Sequence, residues 1–205
     1  QGTFVRTNAE APVLRPVRRR RGPLTSEVAN QELEASAERD VIFDVLFEFA
    51  RQFFDYTALF IVHGDIAEGR DAFGDGASRD KVARVGVPLD LPNLLSTARQ
   101  EKKVTRAIPS REGLDPVLMT DLQRDGTTEC VVFPIVVRKR VVGLVLGDGG
   151  TSGIDDASLR EVELLVQAAS GAFERVIVRR KLKGAEGGPG EGGVAGAVRK
   201  AQDSL

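Results

Sequence analysis

One cysteine and one histidine, Cys130 and His63, are all the thiol and imidazole chemistry that the chain carries. A lone thiol forms no disulfide within the chain. A lone thiol and a lone imidazole also fall short of a soft-ligand metal site, so no metal is expected. One imidazole without a positional partner gives no Ser-His-Asp arrangement. Cys130 opens the apolar run CVVFPIVV and reads as a small buried residue. His63 closes the run YTALFIVH beside a turn and reads as a surface or loop residue. Two clusters invite further chemistry. Gly147, Asp148, Gly149 and Gly150 have the composition of a phosphate loop, but no Lys-Ser/Thr follows and the helical pattern starts only after Ile154. They read as a strand-ending turn. Asp71, Asp75 and Asp80 with Gly74 and Gly76 suggest a calcium loop, yet the spacing departs from an EF-hand and no Glu closes it. No catalytic residue is assigned, no cofactor is expected and no enzyme activity is expected.

The global balance agrees. Net charge is −1, which calls for neither nucleic acid nor an acidic substrate. No apolar run approaches the roughly 18 residues of a membrane span, and no signal-peptide core stands near the start. No membrane association is expected, and the location expected is cytoplasmic. The chain starts at Gln1 and reads as a piece of a longer protein.

The elements that position these residues are organised around Thr128 to Gly150. Cys130–Val137 and Val141–Leu146 are β-branched, apolar and too short for helices, so they predict two buried strands of an antiparallel hairpin. Arg138, Lys139 and Arg140 form its basic turn. Pro134 donates no ladder hydrogen bond and marks an edge, a bulge or the start of pairing. Upstream, residues 1–37 show no sustained periodicity, carry Arg15 and Arg18 to Arg21, and read as a flexible basic arm or linker. The arm lacks the aromatics that stack bases, so nucleic acid is not the expected partner. Ser26 is a candidate helix cap.

Asp40 to Phe54 predicts a helix with two apolar stripes, Ile42, Leu46, Phe49 and Phe53 beside Phe43, Phe47, Ala50 and Phe54. Tyr56–His63 predicts a strand, Arg70–Phe73 a second and Val82–Leu89 a third. Asn93–Gln100 and Asp115–Arg124 predict short helices around a short strand at Lys103–Ile108. Ile154 to about Lys183 predicts the last helix, with Val162, Val166, Ala169, Phe173 and Val176 on a heptad-like seam. The Gly-rich run GAEGGPGEGG then opens a linker and tail over residues 183–205.

This order of elements resembles a GAF domain over residues 38–182. The resemblance rests on the helix-strand opening at Asp40–His63, on NLLSTARQEKKVTR, on the terminal hairpin PIVVRKRVVGLVLGD and on the closing helix GIDDASLREVELLVQAASGAFERV. It implies an α+β fold: a six-stranded antiparallel sheet with the opening and closing helices on one face and a ligand pocket on the other. It implies a non-catalytic regulatory module of a bacterial-type signalling protein that dimerises and relays a signal or binds a protein partner or flanking output domain. The alternative it implies is a small-molecule sensor. By family position the pocket candidates are Phe73, Arg84, Leu95, Met119 and Thr128. A homodimer would use Ile42, Phe49, Phe53, Val162, Val166 and Phe173 of the two long helices. The chemistry of the family's specialised members is missing. Asn93 is followed by no cyclic-nucleotide signature. Cys130 lacks the histidine that often follows a bilin-binding cysteine, His63 is poorly placed as a haem ligand, and one thiol cannot run methionine sulfoxide reduction.

Overall fold

The hairpin that organises the sequence also sits at the heart of the sheet. A computed structural model describes residues 2–5, 14, 16 and 19–186. In it β5 (Cys130–Val137) and β6 (Arg140–Asp148) join through a two-residue turn, with Val137 opposite Arg140. Arg138 and Lys139 have φ of 48° and 68°. Two positive φ values mark the type I′ turn, whose twist matches the flanking strands. Pro134 faces Leu144 on β6. On its other side β4 (Thr105–Ala107) reaches only as far as Val132, so no ladder partner lacks a donor there. A register shift between Ile135 and Val136 follows directly.

β1 (Tyr56–His63) pairs with β6 on one edge and with β2 (Ile66–Gly74) on the other, and β3 (Gly86–Pro88) closes that side. The six strands run β3-β2-β1-β6-β5-β4, every neighbour antiparallel. Period-two alternation divides their side chains between two cores. Leu59, Val131, Phe133, Ile135 and Val145 face one layer, while Tyr56, Ala58, Phe60, Val132, Leu144 and Leu146 face the other.

The first layer is helical. α2 (Arg39–Ala50) and α6 (Asp156–Glu186) cover the sheet, and α1 (Ser26–Ala35) packs on both. Phe43, Phe47 and Phe49 of α2 are buried, each contributing about 1.5–3 kcal/mol. Phe43 meets Phe173 of α6 with ring centroids 4.7 Å apart. Gly143 makes room for that contact: a Cβ there would lie 2.9 Å from Phe43 Cε1 and 3.0 Å from Ile135 Cδ1. The second layer holds α3 (Arg79–Val82), α4 (Leu94–Glu101) and α5 (Asp115–Asp121). α4 begins with a capping box in which Asn93 and Ser96 bond each other's backbone N–H.

Several elements differ from the sequence reading. Val82–Leu89 is not one strand: its start belongs to the helical turn α3 and only Gly86–Pro88 pairs with β2. β2 is longer than Arg70–Phe73, because Ile66 onward continues the ladder from the turn. The cap of α1 is Thr25, whose side chain accepts from the Val28 N–H, while Ser26 is the first helical residue.

The largest difference lies in the arm. Leu24, Ala29 and Leu33 are core residues, and Arg175 of α6 donates to the Leu33 carbonyl. Ahead of α1, Val5 bridges Val85 and the Phe4 N–H donates to Asp121 at 2.6 Å. α6 continues through Gly184 to Glu186. The Gly-rich tail expected beyond it lies outside the described residues.

Candidate functional site

The face of the sheet beneath α3, α4 and α5 is where the sequence resemblance places a ligand pocket. Side chains fill it. Tyr56, Phe60, Leu95, Leu118 and Leu122 are fully buried there, and Met119 nearly so. The large residues come from both sides, Tyr56 and Phe60 rising from β1 and Leu95 and Leu118 descending from α4 and α5. The small residues Ala58, Ala67 and Ala72 let the helices sit close to the strands.

A polar clasp closes one end of this core. Asp148, fully buried at the end of β6, accepts from Arg124 Nε at 2.7 Å, Thr128 Oγ1 at 2.7 Å and the Gly150 N–H at 2.8 Å. A buried carboxylate is stable only with such partners. The Arg124 guanidinium also lies over the Tyr56 ring, 5.8 Å from its centroid, and donates to the Asp75 carbonyl. The Tyr56 hydroxyl donates to the Ala77 carbonyl at 3.0 Å, and burial pushes its pKa up. Burial, with the neighbouring Asp148 charge, pushes the Cys130 thiol up to about 12. A thiol held protonated at neutral pH is no nucleophile.

A second clasp joins the two layers at the edge of α2. Arg19 donates to Glu48 at 2.8 Å and to Asp71 at 2.5 Å, and Arg51 donates to the other Glu48 oxygen. Arg19 and Arg51 both lie over aromatic rings, Arg51 within 4.3 Å of the Phe73 centroid. Burial works against the Glu48 charge, but hydrogen bonds from Arg19 and Arg51 outweigh it and hold the pKa low. At Asp71 burial wins and the pKa is raised despite Arg19. Asp71 is thus a strand residue within an ion-pair network. Arg20 is also committed, to Glu32 of α1.

The five pocket candidates do not converge. Leu95 and Met119 are buried in the filled core, and Thr128 supports Asp148. Phe73 is 45% exposed and stacks with arginines, and Arg84 is exposed after α3. Of the six residues expected at a dimer contact, Ile42, Phe49, Val162, Val166 and Phe173 are buried in the chain's own first core, with Phe53 packed against it. They are consumed because α2 and α6 pack on each other and on the strands, where Phe43 meets Phe173 above Gly143, and because α1 packs on both helices. The face α6 turns outward carries Leu164 (61% exposed), Gly171, Val178 (44%) and Leu182 (60%). The spacing of seven from Leu164 to Gly171 to Val178 was available in the sequence, but the richer inward seam masks it. His63 is exposed at the end of β1, 3.1 Å from Glu68. No cluster of three or more metal-ligating side chains occurs among the described residues.

No protein-family model and no curated protein matches the chain. Solved structures match at the level of fold. A GAF/HD domain protein from Geobacter sulfurreducens superposes with a TM-score of 0.55 at 16% identity, covering 71% of this chain and 98% of that one. Residues 122 to 287 of a methyl-accepting chemotaxis protein give a TM-score of 0.57 at 15% identity, covering 74% and 98%. The free methionine-R-sulfoxide reductase of Neisseria meningitidis, solved with its substrate, gives 0.54 at 10% identity, covering 75% and 89%. At these identities the likeness defines the architecture, and the chain has a GAF-like α+β fold.

Proposed function

We propose that the chain is a non-catalytic regulatory module with a GAF-like fold whose ligand face is filled by its own side chains, and that it acts through protein contacts. The observation that supports this reading is the closed second core, with Tyr56, Phe60, Leu95 and Leu118 fully buried where a ligand would sit. The protonated Cys130 and the exposed His63 offer no catalytic pair. The setting is that of a bacterial-type cytoplasmic signalling protein, with a flanking output domain or a protein partner to receive the signal.

The contact proposed is a homodimer through the outer face of α6. Leu164 and Val178 stand seven residues on either side of Gly171, so a twofold axis at Gly171 sets Leu164 of one copy against Val178 of the other. Gly171 lets two backbones approach. The helix is acidic near its start, at Asp155, Asp156, Glu161 and Glu163, and basic near its end, at Arg175, Arg179, Arg180 and Lys181. An antiparallel pair matches those charges. A Gly171→Cys variant tests this, since the native thiol is buried. Air oxidation of the variant is expected to give a covalent dimer, and light scattering is expected to show Leu164→Glu/Val178→Glu as a monomer. A wild-type chain that stays monomeric at high concentration overturns the dimer.

The second reading, a small-molecule sensor, is favoured by one opening of about 350 Å³ beside Met119, Arg124 and Thr127. A thermal-shift screen that finds a stabilising metabolite, lost on Met119→Trp, supports the sensor over the filled module.

A further inference from the structure

Four non-glycine residues have positive φ among the described residues, and three of them are cations: Lys102 at 53°, Arg138 at 48° and Lys139 at 68°. Glycine or asparagine is the unstrained choice at each position, at the C-terminal end of α4 and in the β5–β6 turn. Such strain persists where something other than stability selects the residue. Lys102 and Lys139 line one cleft of about 510 Å³ together with Arg99 and Arg140, over an apolar floor that includes Val62 and Val141. That volume lies within the range of small-molecule sites.

The local structure accounts for only part of this charge. The dipole of α4 favours a cation at its C-terminal end, which Arg99 and Lys102 supply. Arg99 is further engaged by Asp65 at 2.8 Å and the Gly64 carbonyl at 2.9 Å. Lys102, Lys139 and Arg140 have no carboxylate within ion-pair distance among the described residues. Nothing in the hairpin itself requires two cations in a left-handed turn followed by a third.

We propose that this cleft binds a small phosphate-bearing molecule of nucleotide size through Lys102, Lys139 and Arg140. Three unpaired cations around one opening suit the multiple charged oxygens of a di- or triphosphate better than a single carboxylate. The apolar floor accepts the uncharged part of such a ligand. The site is separate from the filled sheet face, so it stands whether or not that face ever takes a ligand.

The test is calorimetric titration of the full chain with ADP, with inorganic pyrophosphate and with sulfate, at matched ionic strength. The paired variant is Lys102→Asn/Lys139→Asn, because asparagine keeps the left-handed backbone, and a melting curve verifies its fold. The expected result is saturable binding of ADP or pyrophosphate, weakened about tenfold by loss of two exposed charge contacts, with sulfate a poor competitor. ADP binding tighter than pyrophosphate would show that the floor reads the organic part, and equal binding that phosphate alone is read. The proposal is overturned if neither ligand binds at millimolar concentration or if the folded double variant binds as well as wild type. Equal displacement by sulfate, or binding of an oligonucleotide alone, also overturns it.

Discussion

Replacing Leu95 with alanine tests whether the second core is closed. Leu95 is fully buried on α4, inside the cluster formed with Phe60, Leu118 and Leu144. The substitution removes three carbons, worth about 2.4 kcal/mol at roughly 0.8 kcal/mol each. A residual void adds about 24 cal/mol per Å³, so a cavity on the order of 50 Å³ adds about 1 kcal/mol. The expected loss is therefore about 3 kcal/mol, and the melting temperature should fall by roughly 6–12 °C for a domain of this size. Urea denaturation of wild type and variant measures the free energy. A loss below about 1 kcal/mol would mean that Leu95 borders water already, and that the face is an open pocket.

Three further outcomes follow from named contacts. Arg138→Asn/Lys139→Gly supplies the residues that a type I′ turn prefers, and should stabilise the fold by about 1–2 kcal/mol in urea denaturation. It should also weaken phosphate binding at the hairpin cleft. Gly143→Ala places a Cβ against Phe43 and Ile135 and should destabilise by about 1–3 kcal/mol, with Gly143→Val worse. Glu48→Gln should change the pH dependence of stability. The folded pKa of Glu48 lies below its ordinary 4.5, so its contribution is present above that value and is lost as pH falls through the folded pKa. Asp71, with a raised pKa, acts in the opposite sense and favours the folded state as pH falls. The variant should be less stable than wild type at neutral pH, and the gap should narrow in acid; a gap that is constant with pH refutes the role given to the Glu48 charge.

The parts of the fold that follow from local pattern were legible in the sequence. Cys130–Val137 and Val141–Leu146 could be read as a hairpin because both runs are β-branched and both faces of the sheet are covered. The helices starting near Asp40 and Ile154 were legible because their apolar residues recur at helical spacing. The misreadings share a cause. Val82–Leu89 is apolar enough for a strand, but its carbonyl at Val82 sits against Gly69, where a side chain on β2 would clash, and the helical turn of α3 takes the first residues.

α1 buries only Ala29 and Leu33, too few apolar residues to announce a core helix, yet its presence on α2 and α6 decides which helical surface remains free. Arg19 belongs to no periodic pattern, and its place between Glu48 and Asp71 depends on residues far along the chain. The filled face was hardest to read. Whether Leu95 and Met119 line a pocket or close it is a matter of volume and depth, and residue type carries neither.

Native mass spectrometry of the purified full chain tests the filled-face account most directly, with the denatured mass as reference. The expected result is a noncovalent dimer of twice the chain mass with no additional small molecule retained by the sheet face in wild type or in Lys102→Asn/Lys139→Asn. A stoichiometric extra mass that persists in that double variant and disappears on Met119→Trp would contradict it, and would make the chain a ligand-loaded sensor.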